Sequence, residues 1–260
     1  MLKSAAMILD RFGLRRLVAN AANLAYSGHS FSVDADGDWI HSQRECTIAS
    51  PVPHTSPFAH FRNWVTDNWL WSYVPKSGDV IVDLGTGVGE EAIIFSPLIG
   101  PGGMMIAVEA HPVVFRCLSK TITASGLQNV RPVHAAVGDE DGTIQIDDGP
   151  SFLTGSVFGK GAEVPMVTLD TLTRDLDRID FFRTNIEGAE RLMLPGMTES
   201  VKKIRHLCIS CHDFLGKPEA KSRVEVVAFL ENHGFELSFR PGTPAPMCDY
   251  VYGVRLAKAG

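Results

Sequence analysis

Short apolar runs alternate with helix-forming segments from residue 79 onward, and this alternation constrains the fold more than any other feature of the sequence. The runs have the length and β-branched content of buried strands, and they are DVIVDLG (79–85), MMIAVEA (104–110), VRPVHAAVG (130–138), IDFFRTNI (179–186) and IRHLCIS (204–210). Helical segments are predicted at 90–98, 112–125, 188–193 and 219–233. Repeated strand–helix units form a parallel sheet with helices on both faces, so we predict a doubly wound α/β fold.

Two parts of this region depart from the simple alternation. Residues 139–169 contain TIQID and EVPMVTL, which we interpret as short strands around a mobile loop rich in Gly and Ser. The chain ends with FELSFR (235–240) and YVYGVRL (250–256), two strands joined by PGTPAP. A short link between the last two strands favours an antiparallel final strand, because parallel neighbours need a longer crossover.

Residues 1–76 have a different pattern and are predicted to form an N-terminal helical or lid extension before a main domain at 77–260. An amphipathic helix starts the chain, and we expect it to dock on the body of the protein, with a membrane-surface or partner helix as the alternative. A polar, turn-rich stretch with room for a hairpin follows. The aromatic segment at 58–73 then predicts a helix that either faces the core or covers a ligand pocket.

Composition and charge exclude several classes of protein. Hydrophobic residues make up 45% of the chain and charged residues 21%, which indicates a globular protein. The net charge of −6 disfavours binding to nucleic acid or to a membrane surface. No apolar run reaches about 18 residues, and charges interrupt the apolar start, so we expect neither a spanning helix nor an export signal. Five cysteines at irregular spacing predict reduced thiols and a cytoplasmic protein, with a homo-oligomer left open.

The segment Asp83-Leu84-Gly85-Thr86-Gly87-Val88-Gly89-Glu90 carries the strongest functional signal, because glycines between a strand and a helix let the backbone approach a ligand. A dinucleotide site would place pyrophosphate on the helix N-terminus, where this chain has the carboxylates of Glu90 and Glu91. A nicotinamide-dependent oxidoreductase is therefore disfavoured. Asp83, at the strand end, instead suits a ligand that bears an amine.

S-adenosylmethionine is a ligand of this kind, since it has an amine and a sulfonium and no phosphate. Glu109 ends the next strand, where a carboxylate can accept both ribose hydroxyl hydrogens. The third strand ends in Ala136 and Val137, which are small enough to admit a flat adenine ring. The acid–glycine–acid arrangement thus predicts a binding site for S-adenosylmethionine.

The ordered set DVIVDLGTGVGEEAIIF, AVEAHP, NVRPVHAAVGDEDG, VTLDTL, IDFFRTNIEGAERLMLPGM and ISCHDF resembles the FkbM-type family of S-adenosylmethionine-dependent methyltransferases over residues 78–215. The resemblance implies a Rossmann-like, seven-stranded class I methyltransferase sheet and O-methylation of hydroxyls on sugars or secondary metabolites. The cofactor-binding residues that we expect from it, together with the glycine turn, are Asp83, Gly85, Thr86, Gly87, Gly89, Glu109, Ala110, Ala136 and Val137.

The reacting end of the site is predicted where the fourth and fifth strands end, at Asn185, Glu187 and His212. His212 suits a general base, and Glu187 could orient it or bind a substrate hydroxyl. Asn185 stands where the family usually has Asp, so a divalent cation held by Glu187 and His212 is possible but not favoured. A non-catalytic cofactor-binding module is the alternative that Asn185 motivates. The haem-like string CISCH (208–212) is set aside, because residues 208 and 211 of a strand point to opposite faces.

Overall fold

The structure is a computed structural model that describes residues 14–146 and 161–256. The first half of the predicted N-terminal helix and the Gly/Ser-rich loop predicted near residues 147–160 lie outside the described residues. The N-terminal elements, in chain order, are α1 (Arg15–Ala25), β1 (Ser30–Val33), β2 (Trp39–Gln43), β3 (Cys46–Ser50) and α2 (Phe58–Asn68).

The N-terminal part contains more sheet than the sequence predicted. β1, β2 and β3 form a three-stranded antiparallel sheet, and α2 ends at Asn68 although the aromatic pattern continues to residue 73. The two predicted helices are present, and the stretch between them, which had room for a hairpin, forms three strands. Alternating burial explains the strands, since Trp39 and His41 of β2 point inward while their neighbours are half-buried.

The main sheet is built from seven strands that follow along the chain: β4 (Val80–Leu84), β5 (Met104–Glu109), β6 (Val130–His134), β10 (Ile179–Thr184), β11 (Ile204–Ser210), β12 (Phe235–Ser238) and β13 (Tyr250–Arg255). Their order across the sheet is β12-β13-β11-β10-β4-β5-β6. The five strands from β11 to β6 in this order are parallel to one another, while β13 runs antiparallel to both β11 and β12. The predicted antiparallel final strand is thus confirmed.

The end of the third predicted strand belongs to a second small sheet and not to the main sheet. β6 stops at His134, and β7 (Ala136–Val137) pairs with β9 (Glu163–Val167), which also pairs with β8 (Gly142–Gln145). The sequence predicted one strand across 130–138. This stretch forms two strands, β6 and β7, because His134 pairs with Glu109, the last residue of β5. Beyond His134, β5 offers no further residue for pairing.

The helices that flank the main sheet are α3 (Glu90–Ile99), α4 (Pro112–Ala124), α5 (Leu169–Leu172), α6 (Glu190–Met193) and α7 (Arg223–Asn232). The helix predicted from 219 begins at Arg223, because Asp213 accepts hydrogen bonds from the backbone N–H groups of Ser222 and Arg223. Among the described residues, no helix has both the length and the apolar character needed to span a bilayer.

Two apolar clusters lie on the two faces of the main sheet, as the buried parallel strands require. Cys208 belongs to one cluster and Cys211 to the other, which confirms that they point to opposite faces. The first cluster also contains Val65 and Trp69, so the N-terminal part shares its core with the sheet.

Hydrogen bonds and charges attach the N-terminal sheet to α4. The backbone N–H of Ala49 donates to Thr121 Oγ1 at 3.0 Å. Three aspartates of the β1–β2 turn, Asp34, Asp36 and Asp38, lie close enough together to bind a cation, and the ammonium of Lys120 contacts all three at 2.5–2.8 Å. One ammonium group of α4 therefore bridges the three carboxylates of the turn and offsets part of their charge.

We predict that Asp38→Asn destabilises the protein by about 2 kcal/mol, because Asp38 is buried and binds both Arg116 and Lys120. Asp36→Asn is the matched control, since its carboxylate is exposed and its removal should cost less than about 1 kcal/mol. Urea unfolding measures both changes. Equal effects of the two substitutions would contradict the structural role given to Asp38.

Candidate functional site

A cavity of about 220 Å³ lies at the carboxyl ends of β4, β5 and β10, where parallel sheets bind ligands. Its wall contains most of the residues predicted for the cofactor and the reaction, namely Gly85, Thr86, Gly87, Glu109, Ala110, Ala136, Val137, Asn185 and Glu187. Thr86 also supports the turn, because its hydroxyl donates to the backbone oxygen of Asp83 at 3.1 Å.

The three glycines of the turn have positive φ values but different surroundings. A Cβ on Gly85 would lie 2.1 Å from the backbone oxygen of Asn185, so only glycine lets β4 and β10 end side by side. A Cβ on Gly89 would approach Leu118 of α4 at 2.9 Å, so this glycine serves helix packing. A Cβ on Gly87 would meet nothing within 4 Å, and Gly87 lines the cavity, so a ligand can come close to the backbone here.

Glu109 ends β5 and joins the glycine turn to the next helix. Its carboxylate accepts the backbone N–H of Gly87 at 3.0 Å and that of His111 at 2.8 Å, one on each oxygen. An ionised carboxylate has about four lone-pair sites, so it can accept further hydrogen bonds. Burial raises the pKa of Glu109 to about 7, against the effect of backbone hydrogen bonds from His111, Gly87 and Ala110. The carboxylate is therefore fixed in orientation and still able to accept hydrogen bonds from a ligand.

Asp83 lies behind the cavity wall, which differs from the direct ligand contact predicted from the sequence. Its side chain is fully buried and accepts a hydrogen bond from Arg183 at 2.8 Å. Arg183 also donates to the backbone oxygen of Gly85 at 3.1 Å and to Glu91 at 2.9 Å. The physical reason is that a carboxylate and a guanidinium at the same register of β4 and β10 pair with each other.

The Asp83–Arg183–Glu91 bridge is almost completely shielded from water. Trp69 covers the guanidinium, with its ring centroid 4.0 Å from the central carbon, and Tyr250 stacks on Trp69. Burial raises the pKa of Glu91 to about 7 and also raises that of Asp83. Burial opposes the charge of Arg183, yet attraction to both acids keeps its pKa above the ordinary value.

The ends of β10 and β11 bring the three predicted catalytic residues together. Glu187 lines the cavity and has φ of 55°, the one positive value among non-glycine residues in the described ranges. Such strain is typical of functional positions. His212 Nε2 lies 3.7 Å from Glu187 Oε2, and Asn185 lines the cavity beside them. Burial raises the pKa of Glu187, while the nearby imidazole opposes the rise.

A second carboxylate, which the sequence analysis did not identify, binds His212 through the ring nitrogen that is farther from Glu187. Glu190 is fully buried and accepts hydrogen bonds from His212 Nδ1 at 2.8 Å and from Ser222 Oγ at 3.1 Å. Burial lowers the pKa of His212, but Glu190 and Glu187 outweigh it and raise the pKa above the ordinary value. His212 itself is only 2% exposed, so Glu187 is the group that reaches the cavity.

Sequence signals existed for some of the residues that were missed. Arg183 is a cation that follows the apolar Phe181 and Phe182 inside a predicted buried strand, and Glu190 follows Glu187 by three residues, a spacing that one helical turn brings together. His54 lies outside every motif, and nothing in the sequence indicated that its Nε2 lies 2.5 Å from Glu90 Oε1.

Comparisons with known proteins bear on the family and the fold of the chain. The sequence model of the family described as Methyltransferase FkbM domain matches residues 83–237, and no curated protein matches the chain. The structure is similar to a methyltransferase FkbM from Methylobacillus flagellatus KT, with 15% identity, a TM-score of 0.51, and coverage of 69% of this chain and 44% of that one. It is also similar to Aeropyrum pernix fibrillarin in complex with natively bound S-adenosyl-L-methionine (14% identity, TM-score 0.47, coverage 86% and 98%). The predicted seven-stranded class I methyltransferase fold is confirmed.

We predict that Arg183→Met destabilises the protein by about 3–5 kcal/mol, because it leaves two buried carboxylates without a partner. Arg205→Gln is the control, since this exposed arginine also binds an aspartate but should cost less than about 1 kcal/mol. Thermal and urea unfolding measure both.

Neutralising all three groups of the bridge, as Asp83→Asn, Glu91→Gln and Arg183→Met in one chain, should recover part of the loss because no charge stays buried. A triple variant less stable than Arg183→Met alone would contradict this account.

Proposed function

Because the chain belongs to the FkbM methyltransferase family, we propose that it uses S-adenosylmethionine to methylate a hydroxyl on a small sugar-like or secondary-metabolite acceptor. The observation that carries the proposal is Glu109, which lines the cavity and whose carboxylate is held at the end of β5 by the backbone N–H groups of Gly87 and His111. Ribose hydroxyls are the natural donors to a carboxylate held in this way.

The charges around the cavity support a sulfonium ligand. Glu90, Glu91, Glu109 and Glu187 all line it, and the lining cation Arg183 is already bound by two acids. A cavity rich in carboxylates attracts a cation and repels a doubly charged pyrophosphate. The same field favours a neutral or cationic acceptor over a phosphorylated one.

The residues of the chain fit the cofactor along the length of the cavity. Glu109 would bind the ribose, and Ala110, Ala136 and Val137 offer a small apolar surface for adenine. The glycine turn around Gly85 and Gly87 would let the amino-acid end approach the backbone closely. When bound, S-adenosylmethionine supplies an electrophilic methyl group on sulfur. Positioning of the acceptor against it is the main task that this leaves to the protein.

Glu187 is the proposed proton acceptor for the hydroxyl. Its carboxylate faces the cavity, its raised pKa brings it nearer to neutral pH, and a Glu187 oxygen would take the hydroxyl proton as the oxygen gains its methyl group. His212, held by Glu190, would stabilise the ionised Glu187 before the transfer and orient it. Asn185 would donate or accept a hydrogen bond to the acceptor, a role that needs no charge.

Calorimetric titration tests cofactor choice: we expect S-adenosylmethionine and S-adenosylhomocysteine to bind and NAD not to bind. Since the ionised Glu109 accepts the ribose hydroxyls and its pKa is about 7, affinity should rise up to about tenfold from pH 6 to pH 8. In Glu109→Gln binding should be weaker and this pH dependence lost. Tight NAD binding without S-adenosylmethionine binding would refute the proposal.

Glu187→Gln and His212→Gln should each lower methyl transfer at least about tenfold while cofactor affinity stays within about threefold. Transfer of labelled methyl to a panel of hydroxylated acceptors, with calorimetry beside it, measures both quantities. Equal losses of turnover and affinity would mean that these residues are structural. Cofactor binding without transfer to any acceptor would favour the non-catalytic binding module that Asn185 suggested.

A further inference from the structure

We infer that His54 is a positioning residue for the amino-acid end of the cofactor, acting through Glu90, an inference that rests on the proposed function. His54 lies between β3 and α2, outside the region that matches the family. Its Nε2 lies 2.5 Å from Glu90 Oε1, and Glu90 lines the cavity. A residue of the N-terminal part therefore acts on one wall of the cofactor site.

The first turn of α3 is the part of the cavity wall best suited to a carboxylate. Its N-cap is Gly89, and no side chain caps the free N–H groups of this ten-residue helix. The helix dipole adds to their attraction for an anion. The amino-acid end of S-adenosylmethionine carries such a carboxylate, next to its amine.

Two acids, Glu90 and Glu91, oppose an anion at this helix end, and each is bound by a basic side chain. Glu91 is turned toward the permanently charged Arg183 of the main sheet. Glu90 has His54, whose side chain is 18% exposed beside a Glu90 side chain that is 21% exposed. Without His54, an unpaired carboxylate would remain on the wall where the ligand carboxylate has to approach.

His54 is the member of its histidine cluster that contacts the cavity wall, and it does so through Glu90. Behind it, His41 is 1% exposed, with its ring 5.9 Å from that of His54, and His29 bonds His41 at 2.8 Å. Burial lowers the pKa of His41 to about 4, so His41 is neutral near pH 7. His41 thus packs against His54 as a neutral ring, and His54 is the histidine of the cluster that contacts Glu90.

The test compares two ligands that differ at the amino-acid end. His54→Gln keeps a donor of similar size but removes the chance of a positive charge, and it should weaken S-adenosylhomocysteine binding about fivefold to tenfold. Binding of 5′-methylthioadenosine, which has no amino-acid group, should change less than about twofold because it does not reach Glu90. Calorimetry gives both affinities, and a thermal melt of each variant reports on folding.

Three further variants make the outcome decisive. In a Glu90→Gln background, His54→Gln should change S-adenosylhomocysteine affinity less than about twofold, because no carboxylate remains to be neutralised. His60→Gln is the control, since His60 is an exposed histidine on α2. Equal weakening of both ligands, no weakening of either, or a full effect of His54→Gln without Glu90 would overturn the inference. Failure of the unaltered protein to bind S-adenosylhomocysteine would instead overturn the proposed function.

Discussion

The buried bridge from Asp83 through Arg183 to Glu91 is the interaction on which the rest of the site depends. It joins β4, β10 and the first turn of α3, and Arg183 also binds the backbone oxygen of Gly85. These are the three elements that form the floor of the cavity. Because a buried cation needs its anions at fixed positions, the bridge fixes the strand ends relative to each other. Gly85 and Asn185 approach each other beside this bridge, where a Cβ at position 85 would lie 2.1 Å from the backbone oxygen of Asn185.

Once the floor is fixed, the site divides into two ends with different chemistry. At β5, Glu109 is held by two backbone N–H groups and can only accept hydrogen bonds when ionised, which suits binding. At β10, Glu187 adopts a strained backbone conformation and faces His212, which suits proton transfer. Burial raises the pKa of both carboxylates. They differ in what they contact, since Glu109 binds backbone N–H groups and Glu187 faces an imidazole.

The sequence predicted the strands of the main sheet along the chain and placed Glu109 and Glu187 at the cavity, because both follow from local patterns such as strand ends and glycines. It could not predict what Asp83 contacts, since Arg183 is 100 residues away and only the pairing of β4 with β10 brings them together. The contact of His54 with Glu90 could not be predicted for the same reason, since only the folded chain brings these two residues together. The break after His134 was missed for another reason, because it depends on where the neighbouring strand β5 ends and not on the residues of β6.

The N-terminal part reaches the site through charged side chains more than through shared strands. Asp38 binds Arg116 and Lys120 on α4, and His54 binds Glu90 on α3. These two helices directly follow β4 and β5, the strands that lead into the glycine turn and end at Glu109. A change in the N-terminal part can therefore alter the electrostatics of the cavity while the main sheet keeps its order. The family-matched region supplies the cofactor chemistry, and the preceding segment has the contacts needed to adjust it.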